Sequence, residues 1–509
     1  MRPTGNPGHV LVNSRPSGTI NVPTWPFKTA SLREARQVHN GIQVNELSGS
    51  GACFRSATLH EERPVMPSEQ QSATIGGNAA ATAGSDNSTI GPTKPRLLRV
   101  LGPGLITGAS DDDPSGIGTY SQAGAQLGFG ISWTMVFTYP LMVAIQEISA
   151  RVGRVTGRGL AGNICRHYPG WLLQSIVVLL FAANAINIGA DLGAMADAMK
   201  LLIGGPVTAY VLVFGLICVV AQIFVQYARY VRVLKWLSLS LFAYVAALAA
   251  VRVPWGEALK GILVPTIGWN AAYLTTLVAI AGTTISPYLF FWQASEEAED
   301  VRVKPQRAPL IRAWRQAPAA FARIRADTLA GMAFSNVIAV SIMITTAATL
   351  HAKGVTNIET SAQAAEALKP IAGEFASLIF TLGIIGTGLL AIPVLAGSAA
   401  YALAEGRRWP VGLARQPKEA WAFYLSLAVA TLIGVGLNFT PINPIKALYW
   451  SAVINGVVAV PVMVILMLMT AERRIMGEFT VKGWLRALGW ISTAAMTACV
   501  VGMLATWLV

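Results

Sequence analysis

Three aspartates in succession, Asp111, Asp112 and Asp113, stand with Pro114 in the run Gly-Ala-Ser-Asp-Asp-Asp-Pro-Ser-Gly (108–116), about halfway along an apolar stretch. An intramembrane carboxylate costs about 2.5–3.5 kcal/mol even on insertion scales and is kept where it faces a cavity, a partner or an ion. Proline lacks an N–H and collides with the preceding turn, so the helix is predicted to unwind here and leave carbonyls without intrahelical partners. A second run, Gly-Thr-Thr-Ile-Ser-Pro (282–287), places small hydroxyl residues and a proline at similar depth in a later apolar stretch. No Lys or Arg stands at matching depth elsewhere, so a mobile cation is the expected partner of Asp113. Carboxylate plus freed carbonyls is hard oxygen chemistry, suited to Mg²⁺, Mn²⁺ or Ca²⁺ rather than to thiophilic metals. Carbonyls, hydroxyls or held waters at Ser110, Ser115, Gly116, Thr283 and Ser286 are the expected further ligands of that transported ion. For Asp111 and Asp112 protonation or hydrogen bonding to helix ends is an equal alternative, and for the hydroxyls so is helix packing by small residues.

The elements that must carry these residues follow from composition. The 509 residues are 53% hydrophobic and 12% charged, against about 25% charged in an average soluble domain, which makes lipid the solvent. Stretches of about 18 or more apolar residues, each able to cross a hydrocarbon core about 30 Å thick, recur from Leu101 onward. They predict eleven spans, at 102–127, 131–152, 171–199, 206–226, 232–251, 269–294, 327–350, 373–403, 418–437, 444–469 and 484–508. The two breaks fall in spans 1 and 6, five apart. Broken helices at matching positions point to an all-α transporter of two inverted halves, 102–251 and 269–469, with the site between them and an extra helix at 484–508.

The net charge of +13 sorts by side. One alternate set of loops holds 25 Lys and Arg, among them Lys94, Arg96, Arg99, Arg151, Arg154, Arg158, Arg229, Arg232, Lys235, the run from Arg302 to Arg325, Arg407, Arg408, Arg473 and Arg474. The other set holds six: Lys200, Arg252, Lys260, Lys353, Lys369 and Lys446. That is the positive-inside pattern for a multi-pass protein of the inner (plasma) membrane with a cytoplasmic N-terminus; a nucleic-acid partner is unnecessary, and the bilayer is the expected partner besides the cation. No protein partner and no cofactor is expected. Cys53, Cys165, Cys218 and Cys499 show no Cys-x-x-Cys spacing, which speaks against a thiolate metal site or disulfides. Residues 1–93, rich in Gly, Ser, Thr, Pro and Asn, are predicted to be a disordered tail, with Met66 a candidate start.

Several motifs resemble those of the natural resistance-associated macrophage protein (NRAMP) family of divalent metal transporters. They are Gly-Pro-Gly-Leu-Ile-Thr (102–107), Asp-Pro (113–114), Ser-Gln-Ala-Gly (121–124), Val-Thr-Gly-Arg-Gly-Leu-Ala (155–161) and Ala-Asp-Leu (190–192). The resemblance implies a LeuT-like fold, alternating access and metal uptake toward the cytoplasm. Where manganese and iron transporters of the family carry Asp-Pro-Gly-Asn, this chain reads Asp113, Pro114, Ser115, Gly116; the family's Met-Pro-His becomes Ser286, Pro287, Tyr288. Loss of the amide and the thioether is similar to the magnesium transporters related to the family, since soft sulfur helps a site reject abundant Mg²⁺. The acidic relay resembling Asp-Leu-Ala-Glu is reduced to Asp191, Leu192, Gly193, Ala194, so uncoupled uptake favouring Mg²⁺ and accepting Mn²⁺ is expected. A proton-coupled Mn²⁺ or Fe²⁺ symporter is the alternative, and an intramembrane aspartyl enzyme a remote one. Asp111, Asp112, Asp191, Tyr288 and Asn455 are expected around the ligands rather than on the ion. Glu147 is expected to pair with Arg151, and Asn184 and Asn187 to make interhelical hydrogen bonds.

Overall fold

A computed structural model describes residues 107–108, 110–225 and 241–508. The predicted tail (1–93), the basic residues Lys94, Arg96 and Arg99, the start of span 1 and the 226–240 part around span 5 lie outside the described residues.

The regular structure of the described residues is all helical, and each predicted span holds a helix, though helices run on to Val303 in span 6 and start already at Ala317 in span 7. In chain order they are α1 (Pro114–Leu127), α2 (Trp133–Thr156), α3 (Leu160–His167), α4 (Gly170–Ile203), α5 (Val207–Phe224), α6 (Phe242–Ala250), α7 (Ala271–Thr284), α8 (Pro287–Val303), α9 (Ala317–Thr349), α10 (Ala376–Arg407), α11 (Trp421–Leu437), α12 (Pro444–Ala471) and α13 (Gly483–Leu508). Short helical turns fill the connections.

Both expected breaks are present. Residues 107–108 and 110–111 are helical, 112 and 113 are not, and α1 restarts at Pro114 with Asp113 as its N-cap. Proline suits that first position because its missing N–H would be unpaired there anyway. In span 6, Ile285 (φ −122°, ψ 55°) ends α7 and Ser286 opens α8 at Pro287. The most apolar stretch of residues 271–303 is buried along its whole length inside protein. A span so enclosed forms the centre of the bundle, where unwound backbone is tolerated.

Small residues let the central helices approach. A Cβ on Gly153 of α2 would overlap the carbonyl of Ala294 in α8, and one on Gly124 of α1 would overlap that of Met343 in α9. Gly282 meets Ala452 and Gly456 of α12 in the same way. Lipid tails are as apolar as leucine, so close backbone packing is what drives helix association here.

Candidate functional site

Asp113 is 1% exposed, and every hydrogen bond to its carboxylate comes from a neutral donor. Oδ1 accepts the N–H of Gly116 at 2.7 Å and the Ser115 hydroxyl at 2.8 Å. Oδ2 accepts the Asn187 side-chain amide of α4 at 2.9 Å. The first of these bonds is an N-cap, which satisfies one of the donors that a helix start leaves unpaired. Among the described residues, no ion pair involves Asp111, Asp112, Asp113 or Asp191. The negative charge therefore sits at a broken helix without a basic partner, as the sequence predicts.

The two breaks face each other. A Cβ on Gly116 would lie 3.0 Å from the Asp111 carbonyl, 3.2 Å from Thr283 Cγ2 and 3.5 Å from Asp113 Oδ1. The Tyr288 hydroxyl of α8 donates to the Ser110 carbonyl at 3.1 Å, and Thr107 is hydrogen-bonded to Gln293 of α8. Ser110, Asp111, Asp113, Ser115, Gly116, Thr283 and Tyr288 are thus brought together. Gly116 leaves no open space for an ion in this conformation, because the Asp111 carbonyl and Thr283 already close on it.

The other expected residues divide. Ser286 is at the break, but its hydroxyl turns back to the carbonyls of Gly282 (2.6 Å) and Thr283 (2.8 Å) and occupies two of the acceptors that the end of α7 exposes. Asp191 is fully buried on α4, one turn beyond Asn187, within reach of Asp113 and of the Ser115 backbone N–H, and neither of its oxygens has a side-chain donor. Asn455 of α12 is buried with an unpartnered Oδ1 and makes no hydrogen bond to the aspartates. Asp111 and Asp112 share one donor, the Ser335 hydroxyl of α9, at 2.6 and 3.2 Å.

Two participants were not assigned to the site from sequence. Asn187 makes an interhelical hydrogen bond as expected, but its acceptor is Asp113 itself. Ser335, in an apolar span, carries no signal beyond being polar at membrane depth. Asn184 bonds Leu395 O and Ser398 Oγ of α10 at 2.8 and 2.7 Å, and Glu147 pairs with Arg151, both as expected.

Unpartnered buried oxygens remain on Ser110, Asp111, Asp112, Asn187, Asp191 and Thr283. Such a concentration is unusual in a folded interior. No three His, Cys, Asp or Glu side chains converge into a metal cage among the described residues. The arrangement presents carboxylate, carbonyl, amide and hydroxyl oxygens, the donor types that suit a hard cation.

Residues 104–506 match the family described as natural resistance-associated macrophage protein-like. The chain belongs to this NRAMP family. It is therefore a multi-pass membrane transporter and not an enzyme. It is 26% identical to the divalent metal cation transporter MntH of Deinococcus radiodurans over 460 residues, covering 87% of this chain and 97% of that one. To the protein of the same name from Klebsiella pneumoniae it is 24% identical, covering 81% and 95%. In structure it is similar to the Eremococcus coleocola manganese transporter (TM-score 0.63, 16% identity, 83% of this chain and 92% of that one). It is also similar to MhsT in complex with L-phenylalanine (TM-score 0.51, 13% identity, 80% and 98%). The shared architecture is the LeuT-like fold that the NRAMP resemblance implies. These names speak of divalent cations and manganese; the expected likeness to magnesium transporters finds no support in them.

Proposed function

We propose that this NRAMP protein takes up hard divalent metal cations by alternating access, with Mn²⁺ carried as in its similar proteins and Mg²⁺ admitted alongside. One observation carries the reading: a buried carboxylate, Asp113, lies where two broken helices meet and is held by neutral donors alone. Relatives named as divalent metal cation transporters support the cargo class, and the solved manganese transporter supports Mn²⁺. Support for Mg²⁺ comes from the donor set, which is oxygen throughout. Without a thioether the site has lost the soft ligand that would discriminate against that ion. Asp113 would bind the ion directly, with the carbonyl or hydroxyl oxygens of Ser110, Ser115, Gly116, Thr283 and Ser286 reaching it directly or through water. The rest of the reading is an inner-membrane location with a cytoplasmic N-terminus, and inverted halves at 102–251 and 269–469.

A second reading is proton-coupled symport of Mn²⁺ or Fe²⁺. Asp191 favours it, as a buried acid near Asp113 whose oxygens have no side-chain donor. Uptake into proteoliposomes of Mn²⁺, Mg²⁺ and Ca²⁺, with a dye reporting internal pH, separates the two. The first reading expects saturable entry of Mn²⁺, competition by Mg²⁺ and no internal acidification. Entry of Mn²⁺ that acidifies the lumen establishes the second. Absence of entry for every ion tested would overturn both.

A further inference from the structure

At the Arg-rich end of the bundle a cavity of about 270 Å³ opens between the loop after α2, helix α3, the end of α8 and the end of α10. Arg158, Arg166, Arg302 and Arg408 line it with Trp409, and the carboxylate among its lining residues is Glu405. That carboxylate attracts Arg158 and Arg302 but is outnumbered by the four guanidiniums lining the cavity, and the backbone holds it in place. Its Oε1 accepts the N–H of Gly159 at 3.0 Å and its Oε2 that of Gly162 at 3.1 Å, so it caps the first turn of α3. Among the described residues, neither Arg158 nor Arg166 has an ion pair. Arg302 reaches the carbonyls of Ala298 and Val411 at 3.3 and 3.5 Å.

The local backbone holds these side chains in place. The Asn163 amide donates to Thr156 Oγ1 at 3.0 Å and to the carbonyls of Arg158 and Gly159 at 3.1 and 2.9 Å, which fixes the turn carrying Arg158. Arg408 is the one non-glycine residue with positive φ (59°) among those described, at a helix end where glycine is the unstrained choice. That turn places Arg408 in the lining of the cavity. Burial and the charges of Arg166 and Arg312 push the Arg158 guanidinium below its ordinary value, as expected where like charges gather. A cytoplasmic charge bias counts basic residues but does not require them to converge on one cavity. Guanidinium forks match phosphate oxygens in pairs, and basic pockets between membrane helices are suited to anionic head groups.

The geometry points to a phosphate-binding pocket formed by Arg158, Arg166, Arg302 and Arg408, which takes the phosphate of an anionic lipid head group or of a soluble phosphate. The site uses the motif at 155–161, which metal binding leaves unexplained. A bound phosphate would bridge α8, the second half of the broken span 6, to α3 and the end of α10.

The test uses the full-length protein in detergent, mixed with phosphatidylglycerol, phosphatidylcholine or inorganic phosphate. Lipid retention is read by native mass spectrometry and unfolding temperature in parallel. Phosphatidylglycerol is expected to be retained in preference to phosphatidylcholine, and Arg166→Gln/Arg302→Gln, at two exposed positions, to weaken that retention about tenfold or more. Arg473→Gln/Arg474→Gln, in another Arg-rich loop, is expected to leave it unchanged. A shift with inorganic phosphate alone, lost in the same variant, assigns the pocket to a soluble anion and supports it equally. Should the double variant fail to fold, Arg166→Gln alone is read by the same criteria. Equal loss in both double variants would reduce the effect to bulk charge attraction and overturn the pocket. So would retention that ignores head-group charge together with no response to phosphate.

Discussion

Asp113 is an N-cap in this structure and the proposed ion ligand, two purposes that a substitution can separate. As an N-cap it needs a short side chain with an acceptor oxygen, and as an ion ligand it needs a charge. Asparagine caps about as well as aspartate, so Asp113→Asn is expected to unfold near the wild-type temperature. Its metal uptake should fall roughly ten- to hundredfold, since a charge-assisted contact is worth about 1.5–3 kcal/mol. Mn²⁺ entry into proteoliposomes measures this, and wild-type uptake by the folded variant would remove Asp113 from the site. Ser286 offers a complementary probe. Its hydroxyl now ties down the carbonyls of Gly282 and Thr283, so Ser286→Met adds a sulfur and also releases two oxygens. It is expected to shift preference from Mg²⁺ toward Mn²⁺ and Cd²⁺ in competition assays; unchanged selectivity would place the side chain outside the ion's reach.

The breaks in spans 1 and 6 hold their positions because the helices around them are packed too closely to slide. Gly153 lies against the Ala294 carbonyl, at the crossing of α2 and α8. Gly153→Val is expected to destabilise the protein by about 1–3 kcal/mol through overpacking, visible as a lower unfolding temperature in detergent. Gly170→Ala, where an added Cβ meets nothing within 4 Å, should be neutral or stabilise by about 0.4–1 kcal/mol. Sequence made the helices and both breaks legible, because apolar length marks a span and proline marks an interruption. It did not reveal which faces turn inward. A helix apolar all round has no amphipathic stripe to show its buried side. The Asn187–Asp113 bond, between residues 74 apart, and the Ser335 bridge to Asp111 and Asp112 depend on that rotation. The missing amide at Gly116 was equally legible, but what fills its place was not, since the Asp111 carbonyl approaches only when the backbone unwinds.

The two ends of the molecule carry different cavities. A cavity of about 380 Å³ lies between α1, α7 and α12, lined by Gln122, Gln126, Ala272, Thr275, Lys446 and Tyr449 among others. It narrows at Gly118, where an added Cβ would be 2.9 Å from Leu448 Cδ1, one turn beyond the Asp113 region. At the opposite, Arg-rich end Glu405 holds Gly159 and Gly162, Glu299 holds Leu413 and Ala414, and Arg323 pairs with Glu297, beside cavities of about 270 and 580 Å³. With the Arg-rich end expected on the cytoplasmic side from the charge bias, the cavity at the Lys446 end is the expected entrance for the ion. In a variant with its four cysteines replaced, Ala272→Cys should therefore react with a membrane-impermeant maleimide added to intact cells. Glu478→Cys, on the Arg-rich side, should react only after permeabilisation. If the ion draws α1, α7 and α12 together, saturating Mn²⁺ should slow the labelling of Ala272→Cys without changing that of Glu478→Cys. The reverse pattern of access would invert the orientation. Labelling of Ala272→Cys that ignores Mn²⁺ would detach the vestibule from the path to Asp113, because an entrance that does not respond to its cargo takes no part in alternating access.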